Sequence, residues 1–218
     1  MSDNYKILIA DDHPLFRNAL RQALESAYPD TQWLEAESAD SLQAVLEDDN
    51  QLDLVILDLQ MPGSHGYSTL IHLRSHFPTI PVVVISAHED NNTIAKSMHY
   101  GSCGFIPKST SMEKLADALD QILQGETWIP EGIDLSEKNV SSEGDFANRL
   151  SELTPQQYKV LQMFGEGLLN KQIAYDLDVS EATIKAHATA IFRKLNVRNR
   201  TQAVIALSQL EVTHQPPE

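Results

Sequence analysis

Four short apolar runs mark the first half of the chain: KILIA at 6–10, LVILD at 54–58, VVVIS at 82–86 and GFIP at 104–107. Each is strand-sized and apolar throughout, which predicts strands buried on both faces. TQWLEAES at 31–38 is a weaker fifth. Amphipathic stretches lie between them. The first helical pattern begins near Pro14, a residue suited to a first turn, and repeats Leu20, Ala23, Leu24 and Ala27. The last begins at Thr110, with Glu113 three residues on as a capping box, and closes at Gly125. Strands alternating with helices predict a doubly wound parallel α/β sheet over residues 1–125.

The pattern then changes. Residues 126–149, including SEKNVSSEGDFANR, are polar, acidic and without a period, and read as a flexible linker. From 150 to 212 the pattern is helical only. Thr154-Pro155-Gln156-Gln157 is a capping box with Pro at the first helical position. NKQIAYDLDVSEATIKAHATAIFRKL predicts a short helix, a turn at Asp178–Val179, and a longer helix capped by Ser180. A final helix starts near Thr201.

Charge sharpens this division. The 218 residues carry a net charge of −15, which alone argues against nucleic acid. Residues 1–125 hold 7 basic and 18 acidic residues, whereas 150–218 hold 7 of each. Thr183–Arg200 contains Lys185, Arg193, Lys194, Arg198 and Arg200 and no acid. A basic patch in an acidic chain is a feature to explain. A single cysteine, Cys103, reads as a small packed residue and fits a cytosolic setting. No apolar run is long enough for a membrane span, and the first residues lack a signal-peptide pattern.

In a parallel sheet, sites form beyond the carboxyl ends of the strands. Asp11 and Asp12 follow the first strand, Asp58 ends the third, Ser86 the fourth, and Lys108 follows the fifth. Any one of these has an ordinary structural reading as a cap, turn or surface residue. Together they converge on one crevice. Clustered carboxylates need a cation, and oxygen ligands suit Mg²⁺. Lysine and hydroxyl then complete a phosphoryl site, with Asp58 as nucleophile.

Residues 5–125 resemble the receiver domain of bacterial two-component response regulators, through ADD (10–12), LDLQMPGSHG (57–66), ISA (85–87) and GFIPK (104–108). The resemblance implies a flavodoxin-like fold of five parallel strands. It implies that Asp58 accepts a phosphoryl group from a sensor histidine kinase. Asp12, Asp58 and the Gln60 backbone carbonyl would ligate Mg²⁺, with Asp11 acting through water. Ser86 and Lys108 would bind phosphoryl oxygens, and Phe105 would be the switch aromatic. His88 borders this site, placed to tune phosphoryl lifetime.

In the basic helix, Ile184, Ala188, Ile191 and Leu195 form one apolar stripe. Lys185, Thr189 and Arg193 share the opposite face, flanked by Lys194. A short helix, a turn and a basic-faced helix fit helix-turn-helix logic; a helical bundle with a solvated basic face fits as well. Leu153 to about Leu207 resembles the LuxR-type helix-turn-helix, through LTPQQ, VLQMFGEGLLNKQIAYDLDVSEATIKAH and RKLNVRNRTQAV. With the receiver, this resembles the NarL/FixJ class of transcription regulators. The implied DNA-binding domain has four helices. Lys185, Ala186 and Thr189 would meet base edges. Lys171, Arg193, Lys194, Asn199, Arg200 and Thr201 would meet phosphates. Ala203, Val204 and Leu207 would form a self-association face, and phosphorylation would promote a homodimer on double-stranded DNA. Gln156-Gln157 departs from the family's common Arg-Glu pair, and Thr189 from a longer polar residue.

Two other functions compete. A haloacid-dehalogenase-type phosphatase needs a second Asp two residues after the nucleophile, and Gln60 stands there. A regulator that ignores phosphorylation is expected to lack Asp58, Lys108 or one of the paired acids, and all are present.

Overall fold

A computed structural model describes residues 5–25, 27–48, 51–133, 135 and 143–212. Strands β1 (Lys6–Ala10), β2 (Gln32–Ala36), β3 (Leu54–Asp58), β4 (Val82–Ser86) and β5 (Gly104–Pro107) alternate with helices α1 (Pro14–Glu25), α2 (Ala39–Asp48), α3 (Tyr67–His76), α4 (Asn91–His99) and α5 (Met112–Leu123). They form one parallel sheet in the order β2-β1-β3-β4-β5. Asp58 lies opposite Ile85, and Ser86 opposite Pro107. This register brings the strand ends level.

Alternate residues feed opposite faces, as a pleated strand requires. Ile7, Ile9, Ile56, Val83 and Ile85 pack under α1 and α5, against Leu20, Leu24, Leu115 and Leu119. Leu8, Val55, Leu57, Val84 and Phe105 form the other core, with Leu42, Leu70 and Ile94. That second core runs on into Phe146, Leu150, Tyr158 and Leu161, beyond the sheet.

Five further helices follow: α6 (Glu143–Ser151), α7 (Pro155–Gly165), α8 (Asn170–Asp176), α9 (Glu181–Leu195) and α10 (Arg200–Ser208). The α7 capping box forms as the sequence predicts. Thr154 Oγ1 accepts from the Gln157 N–H at 3.3 Å, and Gln157 Oε1 accepts from the Thr154 N–H at 3.2 Å. Asp178 turns the chain between α8 and α9 at φ 51°, and Ser180 caps α9.

Two local expectations are corrected. The helix expected from a Thr110–Glu113 box starts instead at Met112, with Ser111 as N-cap and no side-chain cap bond. The stretch read as linker, 126–149, is structured at both ends. The Trp128 carbonyl accepts from the Phe105 N–H at 2.9 Å, alongside β5. At the far end α6 begins at Glu143, because Phe146, Ala147 and Leu150 bury one face of a short helix. The rest of the expected linker, 134 and 136–142, lies outside the described residues.

The two units are docked. The Tyr67 N–H donates to the Leu210 carbonyl at 3.0 Å. Tyr158 OH bonds Ser68 Oγ at 3.1 Å and Thr69 Oγ1 at 3.3 Å. Lys159 pairs with Asp40 at 3.3 Å.

Candidate phosphoacceptor site and DNA-binding face

The level strand ends place Asp11, Asp58 and Lys108 in contact. Lys108 Nζ lies 2.6 Å from Asp11 Oδ2 and 2.7 Å from Asp58 Oδ2. The Gln60 N–H donates to Asp58 Oδ1 at 3.0 Å. A cleft over this group is lined by His13, Leu15, Phe16, Asp58, Gln60, Ala87 and Lys108. Burial raises the Asp58 carboxyl above its ordinary range, against the pull of Lys108 and the Gln60 N–H. For Lys108, burial opposes the charged form, but the two carboxylates outweigh it and raise its pKa. Lys108 therefore remains an ammonium beside the acids.

Ser86 is buried at the end of β4, where its Oγ accepts from the His88 N–H at 3.1 Å. Phe105 is 0% exposed, in the core behind the site. His13 is a participant that strand-end reasoning missed. Its Nδ1 lies 2.7 Å from Asp12 Oδ1 and 3.1 Å from Asp11 Oδ1. The signal was its position directly after the acid pair. Ligand atoms of Asp11, Asp12, His13 and Asp58 lie within 4.8 Å of one another, so this cluster suits a metal ion.

Cys103 belongs to packing. Burial pushes its thiol up to about 11, and Sγ donates to the Val82 carbonyl at 3.1 Å.

In the second unit, the predicted stripe of Ile184, Ala188, Ile191 and Leu195 is buried. Lys185, Ala186, Thr189 and Arg193 are exposed along α9. Thr189 Oγ1 donates to the Lys185 carbonyl at 2.9 Å, so its hydroxyl proton is already held by the helix. Lys171 and Thr201 are exposed as well. The other phosphate candidates have internal roles. Lys194 Nζ donates to the Glu152 carbonyl at 2.6 Å and to Gln157 Oε1 at 2.8 Å. Arg200 donates to the Phe164 carbonyl at 3.1 Å, with its guanidinium over the Phe164 ring. Asn199 caps α10 by accepting from the Gln202 N–H. Arg198 is an exposed base beside them.

Of the expected self-association face, Ala203, Val204 and Leu207, two residues are taken up inside their own unit, and Val204 is half-buried. Ala203 and Leu207 are spaced four apart and turn into the core of their own unit. Ile205 faces outward, 54% exposed. The receiver-type unit also leaves the basic α9 face uncovered. Docking runs instead through α3, α6, α7 and the chain just after α10.

His72 sits at that docking surface. Its ring stacks on Tyr158 at 4.1 Å and 8°, and lies tilted by 30° against His76 at 4.3 Å. Neither ring nitrogen has a hydrogen-bond partner among the described residues. Burial, then His76, lowers its pKa from 6.5 to about 3. The facing groups are His76, Tyr158 and the Asp40–Lys159 pair. An imidazole depressed in the docked form takes up a proton on opening. To the extent that opening exposes His72 to water, docking is expected to weaken as pH falls below about 6.5. Inter-domain energy transfer measured against pH will show this slope, and His72→Phe will flatten it. An equal slope in both proteins rules His72 out as the titrating group.

An acid-lined α/β unit joined to a helix-turn-helix describes a class: transcription regulators that receive a chemical signal in one domain and act on DNA with the other. Comparison with known proteins bears this out. The sequence pattern of the family "Response regulator receiver domain" matches residues 7–120, and that of "Bacterial regulatory proteins, luxR family" matches 151–207. The Glycerol metabolism activator of Pseudomonas putida is 44% identical, over 96% of this chain and 97% of its own. The nitrate/nitrite response regulator NarP of Escherichia coli is 32% identical, over 94% and 95%. RcsB of Salmonella enterica serovar Typhimurium, solved on promoter P1flhDC with the phosphomimetic BeF3−, is 29% identical, covering 95% of this chain and 100% of its own with a TM-score of 0.56. Two RcsB dimers bound to two parallel DNAs give the same TM-score at 25% identity, with 95% and 98% covered. The chain belongs to the response regulators with a LuxR-type output domain: it is a phosphorylation-switched transcription regulator, in a family of DNA-binding proteins rather than enzymes. No helix among the described residues is long and apolar enough to cross a membrane.

Proposed function

We propose that Asp58 accepts a phosphoryl group from a sensor histidine kinase in the cytoplasm, and that the phosphorylated chain dimerises on promoter DNA. The observation that carries this reading is the contact of one lysine with two buried carboxylates, Asp11 and Asp58, at the mouth of a cleft. A carboxylate oxygen of Asp58 attacks phosphorus, and the bond from phosphorus to the donor's histidine nitrogen breaks. Lys108 and Ser86 take the phosphoryl oxygens. The cluster fits Mg²⁺: Asp12, Asp58 and the Gln60 carbonyl would hold it, with Asp11 through water. Bound there, it supplies positive charge that keeps the acids ionised and offsets the phosphoryl oxygens. The receiver runs through the Trp128 bridge, and the output domain begins at α6.

One output domain makes few base contacts. A two-fold dimer reads two half-sites about one helical turn apart and doubles them. RcsB relatives on DNA support this arrangement. On α10 the exposed large apolar residue available to a second copy is Ile205. Beryllofluoride will raise the mass seen by light scattering and tighten DNA binding seen by anisotropy. If both stay unchanged while the mimic occupies Asp58, the receiver acts through another partner.

A further inference from the structure

The output domain reaches the loop that leaves Asp58. Gln162, on α7, donates from Nε2 to the Gly63 carbonyl at 2.8 Å, five residues beyond Asp58. The Gln162 carbonyl lies 3.4 Å from His65 Nε2, so one residue holds two points of the loop. Gln162 is itself buried, and its Nε2 also reaches Tyr158 OH at 3.3 Å. Pro62 ties the same loop to the receiver, its carbonyl accepting from the Ala39 N–H at 2.9 Å, and the Ser64 N–H closes a turn on the Met61 carbonyl within the loop. The loop is therefore held from both sides.

Two glycines allow this close approach. A Cβ on Gly66 would fall 2.2 Å from the Leu210 carbonyl oxygen, and one on Gly165 2.4 Å from His65 Nε2. Gly66 also has φ +56°, a conformation that L side chains rarely adopt. One glycine belongs to the receiver and one to the output domain. Each gives up a side chain where the other domain arrives.

We propose that Gln162 is a positioning residue for phosphoryl transfer: from the output domain it clasps the Asp58 loop in its phosphoryl-free form and slows transfer to Asp58. This rests on Asp58 being the phosphoacceptor. In the clasped loop the Gln60 N–H points at Asp58 Oδ1. Attack on phosphorus draws on a carboxylate oxygen of Asp58, and here Oδ1 accepts from the Gln60 N–H while Oδ2 is held by Lys108. Freeing Oδ1 moves the backbone between Asp58 and the clasped Gly63, so the clasp opposes it. The loss of one hydrogen bond of this kind shifts an equilibrium roughly two- to tenfold. Coupling between sites is reciprocal. Equilibrium occupancy of Asp58 therefore loosens the clasp by the factor by which the clasp weakens that occupancy, a relation that does not extend to the transfer rate.

The test uses the full chain with acetyl phosphate and Mg²⁺, comparing wild type with Gln162→Met and Gly165→Ala. Gln162→Met keeps the length and removes the donor. Gly165→Ala favours the helix and displaces His65, so it serves if the first variant folds poorly. Both changes lie in the output domain, outside the phosphoacceptor site. Expected is a saturating phosphorylation rate roughly two- to tenfold faster in each, with label confined to Asp58. Beryllofluoride on wild type will speed hydrogen exchange at the Tyr67 amide, which donates to Leu210, by a similar factor. Saturating rates equal to or below wild type in both variants overturn the clasp. Label that persists in Asp58→Asn overturns the phosphoacceptor reading instead.

Discussion

Asp58→Asn protein treated with acetyl phosphate and Mg²⁺ will show no acid-stable, hydroxylamine-labile mass gain, whereas wild type will gain one phosphoryl group. The substitution is nearly isosteric, so the buried end of β3 keeps its packing. It removes the anionic oxygen that attacks phosphorus, and a neutral amide is a far weaker nucleophile. It also leaves Lys108 with one carboxylate in place of two. Mass spectrometry after labelling reads the result directly. Undiminished labelling of the variant would sink the assignment of Asp58.

The second large effect is expected on DNA. Lys185 and Arg193 share the exposed face of α9, two helical turns apart. If α9 enters the major groove, Lys185 lies near its leading end and meets base edges. Lys185→Ala then costs roughly 1–3 kcal/mol on the specific site and relaxes sequence preference. Arg193, in the last turn, would then meet phosphate. Arg193→Ala weakens binding to all sequences alike and lowers the salt slope by about one unit. Anisotropy titrations on specific and scrambled duplexes at several salt concentrations separate the two. Equal behaviour of the variants contradicts the division of roles.

Four of the strands were readable because each is a continuous apolar run, as strands buried on both faces are; β2, QWLEA, was weaker because it lies half-exposed at the edge of the sheet. The receiver cluster was readable for a related reason. Once strands are parallel, the residue after each one must lie near the others. His13 escaped because it extends an acid pair without changing it. Helix α6 escaped because three buried residues, Phe146, Ala147 and Leu150, sit in a Ser-rich acidic stretch that masks a nine-residue helix. In α10, apolar residues occur on every side, so the sequence pattern does not distinguish a face turned inward from one turned out. Ala203 and Leu207 fill the domain's own core, and Ile205 is left for solvent. The roles of Lys194 and Arg200 were hidden as well, since a basic residue in a basic patch looks the same whether it holds a carbonyl or awaits a phosphate. Docking was the least legible feature. Gln162 and Gly63 are 99 residues apart, and neither belongs to a local pattern that announces the other.

Trp128 decides where the receiver can be cut. The outer strand of a sheet offers unpaired backbone groups that recruit strands from other molecules. On β5 the Phe105 N–H is already taken by the Trp128 carbonyl, and Gly104 has no side chain because that carbonyl and Ile122 occupy the space. The segment after α5 thus acts as a selvedge on the sheet. A fragment ending at Gly125 would strip it away, freeing an apolar edge to seek another chain, while one carried past Gly132 would keep its border sewn.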